Sequence, residues 1–224
     1  MLPSFAYRHC SLYAVHRHVT LVRDDNHMLP LVRDDGSSTL VVLFVSDPHG
    51  DDGRALEQQV RARMPRAKVV YVDRRSAPLE ADAITAMLPN FKHVIAVLYA
   101  VPQPGQAGSQ TSLDQKTGAV VLQNILAGAA DRTAVLAMGS PYPILDYPKI
   151  RTYVCAFSSV STSEEAMARA LFGEIRIQGR LPVTLPGVAR LGEGLDPRCD
   201  SKMIGPTISL EQKTSDAEEA EVMQ

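Results

Sequence analysis

Five short apolar runs recur at regular intervals along the chain, and most of them are rich in β-branched residues. Runs of this kind are typical of strands that are buried on both faces of a parallel sheet. The intervening segments have the three- and four-residue apolar spacing of helices, most clearly at 115–130. This alternation predicts right-handed crossovers and a doubly wound, mostly parallel α/β sheet of five to six strands, with helices on both faces in a flavodoxin-like three-layer sandwich. The predicted strands are 39–45, 68–72, 93–99, 133–138 and 152–157.

The predicted helices have recognisable boundaries. We expect helices at 53–64, 80–88 and 115–130, and a short turn at 144–147. A further helix is predicted to start at a capping box formed by Ser161 and Glu164, and to end at Gly173. Residues 180–186 contain Pro182 and Pro186, which allow an edge strand and exclude a central one.

Three parts of the chain differ in character. Residues 1–36 are predicted to hold a helix at 4–16 and two short extended pieces at 19–22 and 29–32, joined by a turn. Residues 37–195 are the predicted α/β sandwich. We expect residues 196–224 to form a disordered tail, because 211–224 carry five acidic residues against Lys213 alone.

Composition narrows the function classes. Hydrophobic residues make up 45% of the chain and charged residues 21%, as in an ordinary soluble domain. A net charge of -2 argues against a nucleic-acid partner. Aromatic residues make up 5% of the chain and Trp is absent, so few rings are available to stack on a sugar. Any bound carbohydrate would therefore be bound mainly by polar groups. The apolar run at 40–45 is too short for a membrane helix, so we expect no membrane partner. No signal peptide is visible, which favours a cytoplasmic location.

The best local site candidate is the loop at 46–53, which follows the first predicted strand at its carboxyl end, where open α/β sheets bind ligands. Asp47 and His49 are candidates for an acid/base or hydrogen-bonding pair. The alternative is that Asp51 or Asp52 caps the next helix. The loop lacks the glycine patterns of a phosphate cradle, and its carboxylates would repel a phosphate.

Hydroxyl groups follow two later strands. Ser140 precedes Pro141, which does not fit the nucleophile elbow of serine hydrolases. We therefore interpret Ser140, Tyr142, Ser158 and Ser159 as hydroxyls that line the carboxyl edge of the sheet. The pair His16 and His18 lacks a third ligand and an ordered second shell, so no metal site is predicted. No catalytic residue, cofactor-binding residue or metal ligand is assigned, and no cofactor is expected.

Three stretches, which follow one another along the chain, show a resemblance to a known family. The stretch 163–187 contains Leu-Phe-Gly at the end of a helix and then Gly-Arg-Leu-Pro-Val; two others, 19–31 and 138–159, contain Val-Thr-Leu-Val-Arg-Asp-Asp and Met-Gly-Ser-Pro-Tyr. Together they resemble the second, C-terminal α/β domain of glycoside hydrolase family 3, most closely its β-N-acetylhexosaminidase branch. The resemblance covers about 12–194 of the chain.

The resemblance implies that the catalytic machinery lies elsewhere. Enzymes of this family place a (β/α)8 barrel of about 250 residues ahead of this domain, and the Asp nucleophile lies in that barrel. The general acid/base is a barrel His in the hexosaminidase branch and a second-domain Glu in the β-glucosidase branch. No segment here matches that Glu, and Glu164 and Glu165 are already explained by the helix cap.

The expected function follows from this. The chain would be the C-terminal domain of an O-glycosyl hydrolase of carbohydrate metabolism, inactive without a barrel, and 1–36 would lead in from that barrel. Its partners would be the barrel, in cis or in trans, and carbohydrate at the domain edge. The alternative is a stand-alone flavodoxin-like module that binds a small polar ligand or a protein through the loop at 47–53. A serine or metal hydrolase is a weaker third possibility.

Overall fold

A computed structural model describes residues 19–100 and 117–197. In chain order its strands are β1 (Val19–Asp24), β2 (Thr39–Phe44), β3 (Lys68–Val72), β4 (His93–Ala100), β5 (Thr133–Gly139) and β6 (Thr152–Ala156). Its helices are α1 (Arg54–Arg63), α2 (Ala77–Met87), α3 (Thr117–Ala129), α4 (Pro143–Asp146) and α5 (Ser161–Leu171), with 3-10 turns at Leu88–Asn90 and Ala130–Arg132.

The strands form one six-stranded sheet in the order β1-β6-β5-β4-β2-β3. All neighbours are parallel except β1 and β6, which are antiparallel, so the sheet is mixed. The five predicted strands are confirmed as β2 to β6, with ends within one residue of those expected. The strand order changes direction between β2 and β4, and such a switch point opens a crevice at the carboxyl ends of the strands.

Helices cover both faces of the sheet because successive strand residues point to opposite sides. On β2, Leu40 and Val42 pack with α2 and α3, whereas Val41 and Leu43 pack with α1 and α5. The strands are therefore apolar on both faces, as the continuous runs in the sequence predicted. Two buried clusters result, one between the sheet and each helical layer.

The edge next to β6 differs from the prediction. The segment 180–186 was expected to be an edge strand, and this is wrong, since it forms only a bridge between Leu185 and Ala189. Instead Leu181 and Leu185 insert into the core as anchors. The edge is formed by β1, in which Val19 pairs with Ala156. Part of the segment expected to precede the sheet thus belongs to it.

Smaller differences have local causes. Helix α2 begins at Ala77, three residues before the predicted start, because Pro78 fits the first turn of a helix. Residues 29–32 form no strand. The predicted helix at 4–16, His16, His18 and most of the predicted tail, 198–224, lie outside the described residues.

A segment after α5 lies against the outer side of β1 with no room for side chains. The Gly179 N–H donates to the Val19 carbonyl at 3.1 Å, and the Leu195 N–H donates to the Leu21 carbonyl at 2.7 Å. A Cβ on Gly179 would lie 2.3 Å from the Val19 oxygen. At Gly194 it would lie 2.6 Å from the Gly179 oxygen. Three stretches of backbone are therefore packed directly on one another.

We predict that Gly179→Ala lowers the free energy of unfolding by about 1–3 kcal/mol, because the new methyl group meets fixed backbone. The control is Gly128→Ala in α3, where the Cβ would lie 3.5 Å from Leu88 Cδ1. Helix propensity should make that variant more stable by roughly 0.5–1 kcal/mol. Urea unfolding measures both changes, and equal stabilities for the two variants would contradict the close packing.

Candidate functional site

All six candidate residues follow strands at the carboxyl edge of the sheet, in two groups. Asp47 and His49 follow β2, whereas Ser140 and Tyr142 follow β5 and Ser158 and Ser159 follow β6. Strand β4 lies between β2 and β5, which separates the two groups by about 10 Å of sheet. Within the described chain no hydrogen bond joins a side chain of one group to the other. The structure thus brings the residues to one edge but not into one constellation.

The Asp47 carboxylate shapes its own loop. Its Oδ1 accepts the backbone N–H of His49 at 2.9 Å, and the Gly50 N–H donates to the Asp47 carbonyl at 3.1 Å. In the described part of the chain no hydrogen bond connects this carboxylate to the imidazole of His49. Both side chains are exposed. The pair thus forms a turn that presents two polar groups to the outside.

Arg54 binds the backbone of the same loop. Its guanidinium donates to the Gly50 carbonyl at 3.3 Å and also to the Pro48 carbonyl. The guanidinium carbon lies 4.4 Å from the centre of the Tyr71 ring, in a cation–π contact. Because Arg54 is the first residue of α1, the loop is fastened to the start of that helix.

The hydroxyls of the second group are partly used by their own turns. Ser140 Oγ accepts the Tyr142 N–H, and Ser158 Oγ accepts the Val160 N–H, each at 3.4 Å. Ser159 is half-buried. Tyr142 is 37% exposed and thus presents its ring at the edge.

Helix α1 is capped from another element. Its N-cap residue is Gly53, with φ of 84°, and no side chain of the loop caps it. Glu164 of α5 supplies the acceptors: Oε1 binds the Gly53 N–H at 2.8 Å and Oε2 binds the Leu56 N–H at 2.9 Å. The predicted capping box of Ser161 and Glu164 is therefore wrong, since Val160 is the N-cap of α5 and Glu164 points away to α1.

The Glu164 carboxylate also binds the end of β4. The Tyr99 hydroxyl donates to its Oε1 at 2.7 Å, and Glu164 is only 1% exposed. Burial and the adjacent Glu164 raise the pKa of Tyr99 well above its ordinary value, so this hydroxyl remains a donor. Within residues 19–100 and 117–197 no ion pair neutralises Glu164. Its charge is balanced by N–H groups at the positive end of α1 and by the phenol.

The remote cap leaves two loop carboxylates without a capping role. The alternative interpretation, that Asp51 or Asp52 caps α1, is wrong because Gly53 occupies that position. Desolvation, followed by the charge of Asp51, raises the pKa of Asp52 above its ordinary value. Asp52 thus carries a charge that the folded protein disfavours.

The described residues hold neither a metal cluster nor a membrane-spanning helix. No group of three or more His, Cys, Asp or Glu side chains there is arranged to hold a metal ion. In the same residues no helix combines the length and the apolar character needed to span a bilayer.

Sequence reasoning missed Tyr99, Arg54 and the role of Glu164. A signal existed for Tyr99, because a tyrosine at the end of a buried strand brings its hydroxyl to the carboxyl edge. No local signal existed for Glu164, whose partner Gly53 lies 111 residues away along the chain. The Ser-x-x-Glu pattern pointed instead to a local cap.

Comparison of sequences gave no relative: no family model matches the chain, and no curated protein matches it. Comparison of structures gave many similar chains. One is a fungal multi-domain glycoside hydrolase family 3 β-N-acetylglucosaminidase, 20% identical, with a TM-score of 0.64 over 84% of this chain and 20% of that one. A family 3 β-N-acetylglucosaminidase from Paenibacillus sp. str. FPU-7 is 18% identical, with a TM-score of 0.58 over 83% of this chain and 34% of that one.

A family 3 β-glucosidase from Neurospora crassa is 18% identical, with a TM-score of 0.56 over 80% of this chain and 25% of that one. At these identities the similarity establishes the fold. The chain has an α/β fold that occurs as one part of family 3 glycoside hydrolases. It spans between 20% and 34% of the length of these three chains.

We predict that Asp52→Asn raises the melting temperature at pH 7. A carboxyl whose folded pKa is raised stabilises the fold while it is protonated, and this stabilisation is lost as the pH rises through the folded pKa. The gain should shrink as the pH falls and vanish below the ordinary value of 3.8. The exposed Asp82 provides the control, since Asp82→Asn makes the same charge change and should leave the melting temperature almost unaltered. A pH-independent gain would contradict the assignment.

Proposed function

We propose that this chain is the C-terminal α/β domain of a family 3 glycoside hydrolase of the β-N-acetylhexosaminidase type. In this proposal the carboxyl edge of the sheet packs against a (β/α)8 barrel, supplied in cis or in trans. The observation that carries it is the difference in coverage: the three similar structures described above match 80% or more of this chain but at most 34% of their own length. The remaining length of those chains provides the expected partner.

The surface of the carboxyl edge supports docking. Tyr142 and Leu145, which follow β5, are 37% and 39% exposed, and Val160, which follows β6, is 57% exposed. Exposed apolar side chains that follow neighbouring strands favour contact with another protein surface. Strand β1 begins at this same edge, because Val19 pairs with Ala156 at the end of β6. A domain that precedes β1 would thus be connected at the edge that we propose it covers.

The choice of branch rests on the sequence and on two of the similar structures. The stretches at 19–31, 138–159 and 163–187 resemble the hexosaminidase branch most closely. The fungal and Paenibacillus chains are described as β-N-acetylglucosaminidases, but other similar structures are β-glucosidases and a xylosidase. The fold is thus shared by several specificities, and the sequence stretches are what favour this one.

The proposal places the covalent chemistry outside this chain. Retaining hydrolysis uses two carboxyl groups about 5–5.5 Å apart, across one sugar. Glu164 is buried and engaged by three donors, so it is not available to a sugar. Asp47, His49, Tyr142 and the serines at 140, 158 and 159 would then contact the barrel or a distal sugar.

A second candidate is a stand-alone flavodoxin-like module that binds a small ligand or a protein. It is favoured by the switch point between β2 and β4 and by the fastened loop beside it. Such a module would not need a barrel. Binding of a barrel therefore separates the two candidates.

We predict that the purified chain does not hydrolyse a panel of nitrophenyl glycosides, including the β-N-acetylglucosaminide and the β-glucoside. The physical reason is that the proposal places both catalytic carboxyl groups outside this chain, and that Glu164 is already engaged by three donors. The measurement is release of nitrophenol per folded molecule. Turnover that co-purifies with the chain, and that Glu164→Gln abolishes, would contradict the assignment of the chemistry to a barrel.

We predict that Val160→Asp weakens binding to a separately produced barrel of a family 3 β-N-acetylglucosaminidase by roughly tenfold or more, because a charge would be buried at the centre of the interface. The control is Val32→Asp, at a residue that is 78% exposed and lies near the opposite edge of the sheet. Titration calorimetry measures both. Absence of binding by the unaltered chain, or equal weakening by both variants, would count against docking at the carboxyl edge.

A further inference from the structure

We propose that Glu164 is a positioning residue, which sets the place of the loop at 46–53 on the carboxyl edge. The inference deepens the proposed function, because it rests on this edge being the one that meets a partner. It concerns a contact between distant parts of the chain and requires no catalytic role for Glu164.

The first step is the geometry of the carboxylate. Glu164 is 1% exposed and accepts three hydrogen bonds of 2.7–2.9 Å, from the N–H groups of Gly53 and Leu56 and from the Tyr99 hydroxyl. Hydrogen bonds to a buried charged acceptor are strong and directional. The start of α1 is therefore held at a defined distance from α5 and from the end of β4.

The second step is that α1 has no cap of its own. Gly53 takes φ of 84°, and a Cβ there would lie 2.5 Å from Leu43 Cδ2. A residue with a capping side chain would be strained at this φ and would displace Leu43. The N–H groups of the first turn need an acceptor, and Glu164 supplies it.

The third step links the helix to the loop. Arg54, in the first turn of α1, donates back to the carbonyls of Pro48 and Gly50. Asp47 and His49 precede these carbonyls in the same turn. Glu164 therefore fixes the start of α1, and Arg54 in turn fixes the loop that carries the two exposed candidate side chains.

A purely stabilising carboxylate offers a matched control. Asp24 at the amino edge is also buried. Like Glu164, it accepts hydrogen bonds from two backbone N–H groups, those of Met28 and Leu29, and from one hydroxyl, that of Thr152. Replacing either acid by its amide leaves an NH2 group facing a backbone donor. The two variants should therefore lose similar stability but should loosen different edges.

The experiment is hydrogen exchange of the full chain, followed by mass spectrometry and NMR, for Glu164→Gln and Asp24→Asn. We expect amides in 46–56 to exchange roughly tenfold or more faster in Glu164→Gln and to be unchanged in Asp24→Asn. The His49 ring signals should shift only in Glu164→Gln. Tyr99→Phe keeps both N–H bonds and should leave exchange in the loop close to that of the unaltered chain.

Two results would overturn the proposal. One is unchanged exchange at 46–56 in Glu164→Gln. The other is an increase of the same size in Asp24→Asn, which would report general destabilisation. Neither readout involves a barrel, so failure of barrel binding would refute the proposed function and leave this assignment standing. If Glu164→Gln does not fold, exchange in Arg54→Ala tests the third step, with faster exchange at 46–53 expected and an unchanged rate contradicting it.

Discussion

A helix that follows a parallel strand starts at the carboxyl edge of the sheet, with N–H groups that need acceptors. In α1 the acceptor is a carboxylate from α5, the last helix among the residues that the structure describes, and the same carboxylate binds the end of β4. Burial of an acid without a cation is costly unless its hydrogen bonds are complete. The layer of α1 and α5 and the loop after β2 therefore depend on each other, and this part of the edge is complete only when the C-terminal half of the domain is in place.

The architecture was readable from the sequence to the extent that it depended on local patterns. The apolar runs gave the five parallel strands to within one residue, because strands buried on both faces need continuous apolar stretches. The edge strand was misplaced, since 19–24 and 180–186 both look extended and only long-range pairing decides between them. The prolines of 180–186 permitted an edge strand but did not require one, and Leu181 and Leu185 were instead used as core anchors.

For the candidate site, the sequence predicted where its residues lie but not how they are arranged. Residues after β2, β5 and β6 were expected at one edge, and they lie there, yet their hydrogen bonds are made mostly with their own turns. What organises the edge is the bond from Tyr99 to Glu164, the cap that Glu164 provides for α1, and the bonds from Arg54 to the loop. The local sequence around Glu164 fits both a capping box and a buried carboxylate that binds other elements. Only the three-dimensional packing distinguishes these two roles.

The backbone that lies on β1 has a consequence for the isolated chain. Outer strands of a sheet offer unpaired N–H and C=O groups to other molecules, and natural proteins cover them in various ways. Here the glycines at 179 and 194 let the chain after α5 lie directly on β1 and bind its outward groups. This side of the sheet is therefore shielded against strand addition between copies. Among residues 19–100 and 117–197, β3 forms the opposite margin of the sheet, and self-association through the backbone would begin there.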